Sequence, residues 1–497
     1  MLIVFDVGTT ALKGAVFSRD GNLLARTSVP LSLLQTPDAL QHECDARQWA
    51  SALRHAAESL GRAVASQGDC AATQSQAVGA GFRPEAVVVS GNGPTLVPVD
   101  ARGDPMAPAL TWMDRRAMDE AAAVSECAGH PVDPSFYLPK ALWFFRRFPE
   151  VYRQTRFFFS CPEYLEYLLT GEAVTFLPAP QFTGYIWDAP IISRLGMDPS
   201  RFPPFVPCGR VIGAVSEEGQ RRFGIPRGTP VVSGGPDFVV SLLGTATVRP
   251  GRACIRSGTS EGVNLCSAVA VADRRLLSLG HVIQPLYNIS GTISTSGKAL
   301  EWIKRITGRE TMDYESLFRQ VAGVPAGSQG LVFLPYLAGE RAPIWDPHAR
   351  GTFIGLTLSH GVPEMTRAVV ESVGMAIRDV LEVMEEQGLV VEDLRITGMP
   401  SRSAVWNQVK ADITGHRILV PAVADSDLSG DASLARYALG DYPTLAQAAE
   451  AMIGIGATYE PDPGRHSRYD DLFLAYRQAY QSLKPLFPKL STARSPS

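Results

Sequence analysis

Two hydroxyl-bearing glycine turns and two carboxylates are the residues of this chain best suited to chemistry. Asp6 ends the apolar run Leu2-Ile3-Val4-Phe5 and leads into Val7-Gly8-Thr9-Thr10, then Lys13 and a second apolar run. That pattern reads as strand, tight turn and strand, and backbone N–H groups at such a turn can hold phosphate. Asp6 suits a hydrated Mg²⁺, Thr9 and Thr10 add hydroxyl donors, and Lys13 adds positive charge for a polyphosphate. An ordinary hairpin whose Asp caps a turn fits the same residues. A second element of this kind stands far downstream, Cys254-Ile255-Arg256-Ser257-Gly258-Thr259-Ser260-Glu261-Gly262-Val263. Two such hairpins facing one cleft would clamp a triphosphate. Between them, Val231-Val232-Ser233-Gly234-Gly235-Pro236 runs as an apolar strand into Asp237, at the mouth of that cleft. Asp237 is also placed to cap a helix over 238–243.

The elements around these residues follow from spacing. Trp49, Leu53, Ala56, Ala57 and Leu60 recur at helical intervals and predict a helix over 45–66, followed by a small, polar loop over 68–81. A continuous apolar strand over 86–90 ends at Gly91-Asn92-Gly93, and ligands of open α/β sheets collect at such carboxyl ends. Helices are predicted over 114–127, 139–148 and 162–169, the last stopped by Gly171. Strand character resumes at Thr229, and 244–251 is a crossover into a second lobe. In that lobe helices are predicted over 296–306 and 363–387, the latter with a core stripe of Val369, Val373, Met375, Ile377, Val380 and Leu381. Gly297 falls at a helix start, where anions are favoured, or is a turn glycine.

Composition bounds the ligand. A chain of 497 residues is too long for one core, and a formal net charge of −4 gives no electrostatic case for nucleic acid or an anionic membrane. The seven cysteines, Cys44, Cys70, Cys127, Cys161, Cys208, Cys254 and Cys266, contain no CxxC pair, which suits reduced thiols. No run approaches the ~18 apolar residues of a membrane span, so a cytoplasmic protein with a small-molecule ligand is expected.

Taken in order, these segments resemble the FGGY family of carbohydrate kinases, within the actin-like ATPase superfamily. The resemblance rests on Asp6 to Lys13, Trp112-Met-Asp114-Arg115-Arg116, Tyr164 to Gly171, Gly234-Gly-Pro-Asp237 and Gly258-Thr-Ser260. It continues through Gly339-Glu-Arg-Ala-Pro-Ile-Trp-Asp346, Arg350-Gly351 and Ser403-Ala-Val-Trp406 to Asp412. It implies an α/β fold of two actin-like, ribonuclease H-like ATPase domains flanking a cleft. The sugar-binding lobe would span 1–246, the nucleotide-binding lobe 247–485, with a flexible tail over 486–497. The implied activity is ATP-dependent phosphorylation of a sugar or polyol hydroxyl, a ketose such as a pentulose being the default. The resemblance makes Asp237 the general base and a neighbour of the Mg²⁺ that Asp6 positions. Nucleotide contacts fall to Gly8, Thr9, Thr10, Lys13, Gly258, Thr259, Ser260, Gly297, Gly398, Ser401 and Asn407. Sugar contacts fall to Asn92, Gly93, Trp112, Asp114, Arg115 and Asp237. Partners beyond substrate are not implied, and assembly as a homodimer is left open.

Two segments depart from the family pattern. Where xylulokinase-like chains carry Gln-Met-His-Gly, this one reads Asn92-Gly93-Pro94-Thr95, so the histidine position is a proline. The glycine-rich adenosine loop reads Gly398-Met399-Pro400-Ser401-Arg402-Ser403, in which Pro400 removes an N–H donor. Either Met399 packs against the base or nucleotide affinity falls. Asp431 also stands where a small apolar residue is usual. The alternative class is a catalytically weak regulator of the same fold that binds sugar or nucleotide. A structural, polymerising ATPase has less support, because the sugar-lobe segments follow the kinases.

Overall fold

The computed structural model describes residues 1–36, 38–68 and 83–492. Past Gly68, the loop expected over 68–81 lies outside the described residues, as does Cys70. The chain divides into two compact units. The first comprises 1–246, 280–284 and 427–453, and the second 247–279, 285–426 and 454–497. Asp427–Ile453, past the linear division at residue 246, folds with the first unit. The physical reason is a backbone-to-backbone contact. The Ser426–Ala438 helix lays Gly430 against the Asp237–Gly244 helix so closely that a β-carbon there would stand 1.9 Å from the Val240 carbonyl oxygen.

In the first unit six strands run in the order Val211–Ala214, Pro230–Pro236, Ala86–Gly91, Leu2–Val7, Ala11–Phe17, Leu23–Pro30. Leu2–Val7, Ala11–Phe17 and Leu23–Pro30 form an antiparallel meander. Ala86–Gly91 and Pro230–Pro236 extend it in parallel, and Val211–Ala214 closes the edge antiparallel. The second unit repeats this plan. Its order is Leu277–Gly280, Tyr287–Ile293, Glu261–Ser267, Arg252–Ser257, Asp393–Thr397, Ile418–Pro421, Ile455–Tyr459. The second, third and fourth strands of that order are again an antiparallel meander, followed by two parallel strands and an antiparallel edge. Both units are therefore actin-like α/β domains of the expected class.

The apolar patterns resolve as core. Trp49, Leu53, Ala56, Ala57 and Leu60 are buried on the Arg47–Gly68 helix, beneath Phe5, Val7 and Leu12. The Val362–Glu386 helix buries the whole predicted stripe from Val369 to Leu381 in the second core. The helix expected over 114–127 begins only at Met118, because Asp114 is held in a hydrogen-bonded turn described below. The segment from Phe487 to Thr492 forms a last helix anchored by buried Phe487, where a frayed tail was expected. Among the described residues the cysteines are free thiols, and no helix is long and apolar enough to cross a membrane.

Candidate active site

Strand register assembles the first group. Asp6 lies opposite Lys13 on one side and Ser90 on the other, so three strands present these side chains on one face. Lys13 Nζ lies 3.6 Å from Asp6 Oδ2 and 3.9 Å from Asp427 Oδ2, while Ser90 Oγ donates to Asp431 Oδ2 at 2.6 Å. Asp431 is fully buried, and burial beside the Asp6 and Asp427 carboxylates holds its pKa well above the usual range. The residue that departs from the family pattern therefore has a partner, the Ser90 hydroxyl at a strand tip.

The Gly8 turn closes through Gly8 N–H donating to the Ala11 carbonyl at 3.0 Å. Trp112, 44% exposed, donates its indole N–H to Thr9 Oγ1 at 3.0 Å, which joins a sugar-site candidate to a phosphate-site candidate. Asn92 is pinned at both ends. Its amide donates to the Val7 carbonyl at 2.9 Å and accepts from Thr95 Oγ1 at 2.6 Å.

Asp237 is delivered by a break in the sheet. The parallel register between Pro230–Pro236 and Ala86–Gly91 shifts between Ser233 and Pro236, because a β-carbon at Gly234 would fall 2.0 Å from the Val89 carbonyl oxygen. The N–H freed at Gly234 donates to Glu166 Oε1 at 3.1 Å, and Glu166 is fully buried, with a pKa raised well above the usual range by desolvation. Asp237 follows as the first residue of its helix rather than the cap, its Oδ1 accepting the Phe238 N–H at 2.6 Å. Gly93 lies near Pro236, the residue before it. A β-carbon there would lie 2.7 Å from the Tyr137 hydroxyl and 3.9 Å from Pro236 Cβ. Desolvation and the nearby Glu163, Cys161 and Asp237 hold the Tyr137 phenol well above its ordinary pKa.

Two predicted contacts are engaged elsewhere. Asp114 is completely buried and accepts from His42 N–H at 2.8 Å and from the Arg116 guanidinium at 2.7 Å. Arg115 pairs with Asp133 at 3.0 Å. Asp114 thereby holds the Trp112 segment in place. A residue absent from the sequence reading, Lys140, completes this group. Its fully buried ammonium donates to the Pro94 and Thr111 carbonyls, both at 2.7 Å, bolting the two loop tips together, and burial lowers its pKa to about 7.

The second unit carries a cavity of 880 Å³ whose walls include Gly258, Thr259, Gly297, Tyr314, Met399 and Trp406. Gly297 opens its helix and donates its N–H to the Gly258 carbonyl at 3.0 Å. A β-carbon at Gly297 would lie 2.6 Å from that oxygen, so the residue serves a close approach of helix to hairpin. Gly398 has φ of 91° and packs on the end of Arg252–Ser257, where a β-carbon would meet the Ser257 carbonyl oxygen at 1.9 Å. Ser401 and Asn407 point inward. Ser401 Oγ donates to the Gly398 carbonyl and Asn407 Nδ2 to the Ser401 carbonyl, both at 2.7 Å, so they shape the loop rather than line the cavity. Met399, 63% exposed, and Pro400 line it instead.

Comparisons with known proteins bear on the family of the chain. The N-terminal domain of the FGGY family of carbohydrate kinases matches residues 1–244, and its C-terminal domain matches 253–439. The chain is similar to a xylulose kinase of Staphylococcus epidermidis, 28% identical over 82% of this chain and 84% of that protein. It is also similar to a gluconokinase of Bacillus subtilis, 26% identical over 99% of this chain and 95% of the other. The crystal structure of xylulose kinase from Rhodospirillum rubrum superposes with a TM-score of 0.82 at 28% identity, covering 98% and 99% of the two chains. A gluconate kinase from Lactobacillus acidophilus shares the fold with a TM-score of 0.82 at 24% identity, over 98% and 99%. With both domains matched along nearly its whole length, this chain belongs to the FGGY family of carbohydrate kinases.

Proposed function

We propose that this kinase transfers the γ-phosphoryl group of ATP to a hydroxyl of a small neutral ketose or polyol, a pentulose first among them, with Asp237 as general base. The observation that supports this is the sheet break at Gly234, after which Asp237 follows Pro236, the neighbour of Gly93, within electrostatic reach of Tyr137. A carboxylate held there can accept the proton of a substrate hydroxyl as it attacks. Thr9, Thr10 and Lys13 supply donors for the donor phosphates, and Trp112 supplies an aromatic wall with one edge fixed on Thr9. A neutral substrate is favoured over an aldonate because Arg115, Arg116 and Lys140 are each engaged by protein oxygens.

Among the described residues no group of three or more potential ligands surrounds a cation position. Mg²⁺ keeps its waters and is shared between one or two carboxylates and substrate phosphates, a part that the carboxylates Asp6 and Asp237 can fill. Asp6, with Asp237 near the reacting hydroxyl, would hold it, and the ion would neutralise charge developing on the phosphoryl oxygens. The cavity of the second unit suits a nucleoside, with Met399 packing on the base. The test is ADP release with MgATP across pentuloses, hexuloses, aldonates and polyols, for wild type and Asp237→Asn. Turnover on one neutral sugar that falls about 10²–10⁴-fold in the variant supports the reading. Near-normal turnover in Asp237→Asn removes Asp237 as base, and saturable sugar binding without ADP favours the regulator.

A further inference from the structure

We propose that the buried Glu261–Lys410 ion pair is a positioning device that sets the phosphate-binding hairpin Gly258–Ser260 for its donor. This rests on the reading of the adjoining cavity as the nucleotide site. Glu261 is fully buried and the Lys410 side chain is 1% exposed, with Nζ 2.7 Å from Glu261 Oε1. Lys410 also donates to Ser257 Oγ at 3.2 Å, and Ser296 Oγ donates to Glu261 Oε1 at 2.9 Å. Ser257 and Glu261 are cross-strand partners that flank the hairpin on either side. Ser296 precedes the helix whose start is welded to the hairpin through Ser296 N–H to the Thr259 carbonyl at 3.1 Å and Gly297 N–H to the Gly258 carbonyl at 3.0 Å. The ammonium lies 4.5 Å from the ring centroid of Trp406, which lines the cavity. One charge pair therefore ties together the hairpin base, the helix start and the cavity wall.

Stability alone is a poor reason for such a pair, because desolvating two charges costs about as much as their attraction returns. The cost is visible here. Glu261 Oε2 is buried without a hydrogen-bond partner among the described residues, and desolvation lowers the Lys410 pKa. What the pair returns is a fixed geometry of backbone donors, the currency of phosphate recognition.

The experiment compares wild type with Lys410→Met, Glu261→Gln and the double variant, reading KM for MgATP, KM for the sugar, and the ADP-induced rise in melting temperature. Each single variant is expected to melt earlier, since it strands a buried polar partner. The double variant removes both charges and is expected to regain most of the melting temperature. It is nonetheless expected to keep a KM for MgATP raised 10-fold or more, with KM for the sugar within twofold and a reduced ADP-induced shift. Recovery of both melting temperature and MgATP affinity in the double variant overturns the proposal and leaves the pair a structural element. Absence of any ADP-induced shift in wild type removes the nucleotide reading of the cavity, and the proposal with it.

Discussion

Replacing Glu340 by glutamine is expected to remove a pH-dependent loss of stability from the second unit. Glu340 is 5% exposed, and its Oε1 accepts both the Ser294 N–H at 2.6 Å and the Arg341 N–H at 2.8 Å. Its Oε2 is buried without a hydrogen-bond partner among the described residues. Burial is the largest influence and lifts the carboxyl from 4.5 to about 7. A raised acid prefers its proton in the folded state, so the folded protein is favoured below pH 4.5 and loses that advantage as pH rises towards 7. At about 1.4 kcal/mol per pH unit the loss is about 3 kcal/mol, complete by pH 8. Glutamine keeps the Oε1 acceptor for both N–H groups and places an uncharged amide NH2 where Oε2 stands. Thermal unfolding of wild type and Glu340→Gln at pH 4.5 and at pH 8 reads the effect. The two should melt together at the lower pH and differ at the higher, with the variant roughly 6–12 °C above wild type for a domain of this size. Melting curves that stay parallel between the two pH values would refute the assignment of a near-neutral carboxyl to Glu340.

Other perturbations separate contacts that position from contacts that bind. Gly297→Ala drives a methyl into the Gly258 carbonyl and should lower stability by about 1–3 kcal/mol while raising KM for MgATP more than KM for the sugar. Equal effects on both substrates would show that the close approach matters only to packing. Glu166→Gln, which mimics an already neutral carboxyl, should leave turnover within about threefold of wild type. Glu166→Ala strands the Gly234 N–H, at a cost of about 1–3 kcal/mol, and should lower kcat because the break that aims Asp237 relaxes. Steady-state kinetics with melting curves on the pair settles this, and unchanged kcat in Glu166→Ala would dissociate the break from catalysis.

The parts of this molecule legible in its sequence are those encoded locally. The Gly8 and Gly258 turns, the strand that ends at Asp237 and the stripe of the Val362–Glu386 helix are each set by neighbours in the chain, so periodicity and turn residues reveal them. Lys140, Tyr137 and Glu166 were not legible, and of Asp431 only its oddity was. Each draws its role from a partner far along the chain. Other partners are equally invisible in the sequence. Asp114, Ser401 and Asn407 have the polar side chains of ligand contacts, and each also bonds to the protein itself, Asp114 to the Arg116 guanidinium and the His42 N–H, Ser401 and Asn407 to backbone carbonyls. Helix spacing without a partner cannot distinguish the two uses.

The return of Asp427–Ile453 to the first unit imposes an order on synthesis. The first unit includes Gly430 seated on the helix of Asp237, Asp431 bonded to Ser90, and Arg436 paired with Asp441. None of these exists until the ribosome has passed most of the second unit. Until then the emerging 1–246 segment lacks the packing of Gly430 on its Asp237 helix. Folding of the intervening segment shortens the loop that has to close and lowers the entropy of closure. A fragment ending at residue 246 lacks these contacts, and joining the later segment back to it is expected to raise its melting temperature.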